Sequence, residues 1–128
     1  MKLVDADKIL VTTFGGESRT ATAEWVIGLD DDRVGVWTPD LTAWQARLGD
    51  SAVVSVQAAD DRGRAVLGEP VLEARAVLLT EGSEYDLIRE QTWDRHPVGA
   101  WLSDVADARR EFTGAASPEG AVLLHIVA

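Results

Sequence analysis

The chain contains no cysteine. That excludes disulfides, thiolate-held zinc, iron–sulfur clusters and thiol nucleophiles. Only two histidines are present, too few for a histidine-based metal centre within one chain. Lysine is nearly absent as well. Ten of the twelve cations are arginine, and they face 22 acidic residues, for a formal net charge of −10. A chain of that sign is a poor partner for nucleic acid, because binding there requires a cationic surface that displaces counterions. No apolar run approaches the roughly 18 residues of a membrane span, and Met1–Asp5 lacks the apolar core of a signal peptide. The expectation is a soluble, cytoplasmic protein with no membrane partner. There is no internal repeat, low-complexity segment or linker, so residues 1–128 are expected to form a single domain. Nor is there a GxSxG, P-loop, GxGxxG or HExxH motif. No catalytic residue and no metal ligand can be named.

What is present is strand patterning. Residues 2–8 can form a helical turn. Lys8–Phe14 is an apolar, β-branched run followed by Gly15–Ser18, which reads as a strand entering a hairpin. Arg19–Leu29 alternates, with Ala21, Ala23, Trp25 and Ile27 on one face and Thr20, Thr22, Glu24 and Val26 on the other. Asp30–Arg33 is a turn, and its acidic triplet reads as a solvated turn rather than a cation site. Val34–Thr38 is a strand ended by Pro39. Asp40–Leu48 switches to helical spacing, with Leu41, Trp44 and Leu48 on one face, Asp40 as N-cap and Gly49 as stop. Ser51–Ala59 is a strand. Residues 64–80 form one long strand or two pieces broken near Gly68 and Pro70. A helix runs from Ser83 to about Trp93, a second from Pro97 to Phe112, and Ala121–Val127 closes with a strand. His96 and His125 read as a loop residue and a strand residue. Short antiparallel connections dominate, which points to a closed or nearly closed barrel of about six to seven antiparallel strands with flanking helices.

The stretch Val34–Arg64, taken with the first strands, resembles a known family. Lys8–Phe14 resembles the family's first strand, Thr22-Ala23-Glu24-Trp25 a segment of its second, and Trp37-Thr38 the aromatic-Thr end of its third. Asp60-Asp61-Arg62-Gly63 resembles its motif after the fourth strand. The pattern is similar to the flavin/deazaflavin split β-barrel superfamily that includes the pyridoxamine-phosphate oxidases, and most to its actinobacterial F420-dependent branch. The resemblance implies an FMN-binding type of split barrel, a homodimer, and F420 or alternatively FMN held in a groove between two copies. It assigns phosphate binding to Thr38, Thr42 and Arg47 and places Trp25, Trp37 and Trp44 around the ring. Trp44 stands where the family carries Lys, and Ala46 occupies its second basic position. By its helical spacing Trp44 reads first as a core residue packed with Leu41 and Leu48.

Two functions follow from this. In one, the protein is an F420- or FMN-dependent oxidoreductase. The cofactor then carries hydride to a small unsaturated substrate, and the protein positions it and excludes water. In the other, it is a non-catalytic split barrel with a degraded phosphate site, acting as a ligand-binding or interaction protein.

Overall fold

The computed structural model describes residues 3–15, 19–96 and 118–127. After a 3-10 turn at Leu3–Asp5, the chain runs through β1 (Lys8–Thr13), β2 (Thr20–Trp25), β3 (Ile27–Asp30), β4 (Arg33–Thr38), α1 (Leu41–Leu48), β5 (Val53–Ala59), β6 (Leu72–Leu79), α2 (Ser83–Arg95) and β7 (Gly120–Ile126). The expected helix over 97–112 lies outside the described residues. Residues 64–80 take the two-piece form. Ala65 bridges back to Ala59, Gly68 adopts a positive φ of 84°, and β6 begins only at Leu72.

All seven strands join one sheet in the order β2-β1-β5-β6-β7-β4-β3, and each neighbouring pair is antiparallel. The two edge strands, β2 and β3, are consecutive in the chain and separated only by Val26. Both sheet edges therefore belong to one short stretch of backbone, and the sheet must curl until they meet. This is the split β-barrel expected from the sequence, with one difference. Arg19–Leu29 is not a single strand. β2 pairs with β1 and β3 pairs with β4, at opposite edges of the sheet, and Val26 and Ile27 at the break are both buried, at 1% and 0% exposure. Val26 enters the barrel core, and Ile27 enters a second core on the opposite face. The chain turns between them and crosses from one sheet edge to the other.

The inner core is built from alternate residues such as Ile9, Val11, Val34, Val54, Val56 and Leu124, all fully buried. Each contributes about 1.5–3 kcal/mol through removal of apolar surface from water. The second core lies outside the sheet beneath α2, where Tyr85 and Ile88 pack against Ile27, Trp37 and Ala121. Gly35 is part of the reason α2 sits so close: a Cβ there would collide with the Ile88 side chain.

Helix α1 forms as the sequence indicates. Asp40 Oδ1 accepts the Ala43 N–H at 3.0 Å, and Gly49 ends the helix with φ +54° and a bond from its N–H to Gln45 O at 3.0 Å. Trp44 and Leu48 enter the inner core. The last turn of α1 is pressed against the exit of β1, because a Cβ on Gly15 would strike the Leu48 carbonyl and one on Gly49 would strike that of Gly15. At the other end the Leu41 N–H donates to Pro118 O at 3.0 Å. Pinned at both ends, α1 presents Arg47 to β1 and β2.

Candidate functional site

The pairing register explains what Arg47 meets. Ile9, Val11 and Thr13 of β1 face inward and lie opposite Glu24, Thr22 and Thr20 of β2. Directly opposed residues in an antiparallel pair share a face, so the inner face of edge strand β2 is polar. Polar groups there need hydrogen-bond partners. Arg47 supplies them. Its Nη1 donates to Thr22 Oγ1 at 2.8 Å, its Nε to Thr13 Oγ1 at 3.4 Å, and its Nη2 to Val11 O at 3.2 Å and Thr20 O at 3.4 Å. The guanidinium carbon also lies 4.1 Å from the centroid of the Trp44 ring, a cation–π arrangement. Thr22 passes the contact on, since its hydroxyl donates to Glu24 Oε1 at 2.9 Å. Burial raises the Glu24 pKa above its usual 4.5, against the pull of Thr22, Arg47 and Lys8. Burial likewise lowers the pKa of Arg47, with Glu24 opposing.

The other sequence-derived site residues are distributed around this corner rather than gathered at it. Thr38 is buried, and its hydroxyl accepts the Asp40 N–H at 3.1 Å as part of the turn into α1. Thr42 is exposed on α1. Trp44 is inside the barrel. Trp37 lies beneath α2, edge-on to Trp93 at 6.1 Å between centroids. Trp25 is on the outer face of β2, stacked on His96 at 3.7 Å and with Lys8 Nζ 4.3 Å from its ring. The last turn of α2 and its cap thus contact Trp25 and Trp37, while Trp44 belongs to the inner core. Sequence reasoning missed Thr13 and Lys8 as neighbours of this region. It placed Thr22 and Glu24 on the correct face without assigning them a partner. The signal available was three polar residues, Thr20, Thr22 and Glu24, in phase with the buried Val26.

A second polar group ties α2 to the start of β7. The Tyr85 hydroxyl donates to Glu119 Oε1 at 2.8 Å, and Arg89 Nε donates to the same oxygen at 3.0 Å. Burial and Glu119 push the Tyr85 pKa up to about 12. The Asp30–Arg33 turn is bonded within itself and to its neighbours, since Arg33 also pairs with Glu84 of α2. Asp30 accepts from Arg33 Nε at 2.7 Å, which holds its pKa at about 2, and Asp32 lies 3.2 Å from His125 Nε2. Two open clefts, of about 260 and 380 Å³, are each lined by three acidic residues together with Arg95 or Arg89, and neither includes a sequence-derived site residue.

The family resemblance puts a flavin or deazaflavin phosphate at α1, where its charge would call for cations and free donors. The residues present do not fit that group. Arg47 is tied to internal acceptors, Trp44 and Ala46 carry no charge, and Asp40 takes the Ala43 N–H at the helix N-terminus with its own carboxylate.

No protein-family model matches the chain, and no curated protein matches it. Among solved structures it is similar to one from Listeria innocua named as a putative pyridoxamine 5'-phosphate oxidase. The TM-score is 0.60 and the sequence identity 15%, over 98% of this chain and 86% of that one. At that identity the likeness is one of fold, and the fold is a split β-barrel of the pyridoxamine-phosphate-oxidase type. Among the described residues no helix is long and apolar enough to cross a membrane.

Proposed function

We propose that this chain is a non-catalytic split-barrel protein that binds a small uncharged, planar ligand without a phosphate anchor. The observation that carries this reading is the engagement of Arg47. A guanidinium has five N–H donors, and four hydrogen bonds to Thr13, Thr22, Val11 and Thr20 account for all but one. Bidentate capture of a phosphate needs two donors side by side, which this side chain no longer offers. Half-buried Trp25 is the aromatic surface that a planar ligand would reach by displacing the His96 ring now stacked on it.

The fold favours a second reading. The Listeria neighbour's name points to an oxidoreductase, in which F420 or FMN would supply hydride-transfer chemistry to a small unsaturated substrate. Tryptophan-fluorescence titration with FMN, F420 and phosphate-free riboflavin near physiological salt separates the two. The binding-protein reading expects no quenching by FMN or F420 beyond that of riboflavin up to about 100 μM, a level that already marks weak binding. Micromolar binding of FMN or F420 that inorganic phosphate competes away would overturn it in favour of the oxidoreductase.

A further inference from the structure

We propose that Glu24, acting through the Thr22 hydroxyl, is the resident counter-ion of Arg47 and makes this corner of the barrel reject anionic groups. The inference rests on the reading above and names the residue that enforces it.

The chain of contacts has a fixed polarity. Arginine has no acceptor, so at 2.8 Å the Thr22 oxygen must accept from Arg47 Nη1. The single Thr22 proton is then available for Glu24 Oε1 at 2.9 Å. The sequence cation, hydroxyl, carboxylate runs across the inner face of β2, where Glu24 lies opposite fully buried Ile9. In such a place a lone charge is costly, and each member of the pair is tolerated because the other is there. One face of the guanidinium is closed by Trp44 at 4.1 Å. An incoming anion would therefore compete with a carboxylate already wired to the cation and held in place by the fold. One donor of the helix N-terminus is taken in the same way. Asp40 Oδ1 takes the Ala43 N–H at 3.0 Å, a donor that would otherwise suit an anion. Two carboxylates of the chain itself stand where an external anion would be held, and only Glu24 balances a side-chain cation.

Removing that charge should leave Arg47 without a balancing carboxylate, so that an anion gains the attraction Glu24 now cancels, through the one guanidinium N–H that no internal acceptor holds. The test compares FMN with riboflavin, which differ by the phosphate, on the full chain and on Glu24→Gln. The wild type should bind the two equally or bind neither, and Glu24→Gln should prefer FMN at least tenfold. Inorganic phosphate should compete with the gained binding, and adding Arg47→Met should abolish it. Glu24→Ala, on a strand that already carries Ala21 and Ala23, is the second variant should the first fail to fold. A third arm uses the wild type alone. Arg47 on α1 and Lys8 on β1 are the charged groups that bear on Glu24, so protonating Glu24 at falling pH should raise FMN affinity relative to riboflavin. Folded variants with no gained phosphate preference overturn the counter-ion role and leave the binding-protein reading standing. An FMN preference already present in the wild type at neutral pH overturns that reading first.

Discussion

Arg47 and Glu24 share one physical problem, that of charge held on the inner face of a strand. Its clearest consequence is in the pH dependence of stability. The Glu24 pKa is raised in the folded state by burial, so the folded chain holds that proton more tightly than the unfolded chain does. The contribution of Glu24 to stability is therefore greatest below the unfolded value near 4.5 and is lost as pH climbs through the higher folded value. In urea melts, the stability of wild type minus that of Glu24→Gln should fall as pH rises above about 4.5 and then level off. A difference that grows with pH would mean that the ion pair outweighs burial. This part of the site was half legible in the sequence. The alternation placed Thr22 and Glu24 in phase with Val26, and Arg47 was marked by its helix position. Their meeting was not legible, because it depends on the register of β1 against β2 and on how far α1 reaches over them. Neither is encoded in any local pattern.

At the scale of elements, the tightest fit is between α2 and the outer face of β4. Gly35 lies under Ile88, and a Cβ there has no room without displacing that fully buried side chain. Gly35→Ala should lower stability by about 1–3 kcal/mol, the range for overpacking a core, and a chemical melt with an unchanged m-value would confirm it. A neutral outcome would show that α2 slides easily on the sheet. Most of the elements were readable from sequence. An apolar, β-branched run before a glycine turn marked β1, the Pro39 stop marked β4, period-two alternation marked β5 and β6, and the spacing of Leu41, Trp44 and Leu48 with the Asp40 cap marked α1. The division of residues 19–29 was not readable, since Val26 and Ile27 continue a β-branched, alternating pattern. Only the presence of two separate cores, one on each side of the sheet, makes consecutive side chains both buried.

For the whole molecule, α2 covers the outside of β3, β4 and β7 and the Leu79 end of β6, and no described helix or strand covers the outside of β1, β5 and the rest of β6. Val77 on β6 is 51% exposed and Phe14 beyond β1 is 47% exposed. A two-fold interface over this face would bury them, in line with the homodimer implied by the family resemblance. Each copy carries a formal charge of −10, so two copies repel at low ionic strength, and screening over about 10 Å at 0.1 M salt relieves that repulsion. Sedimentation at micromolar concentration should therefore show a dimer that tightens with added salt. A monomer at every salt concentration would remove the groove between copies from consideration. The barrel itself was legible from its run of hairpins, whereas the way it closes was not. That closure depends on a single joint. Val26 separates β2 from β3, and opening the bend there would straighten residues 20–30 into one strand whose halves complete two different molecules. Such an exchanged pair would keep every strand partnership of the closed form. The joint that places both sheet edges of one molecule on one short stretch of backbone is thus also the point where two molecules can trade them.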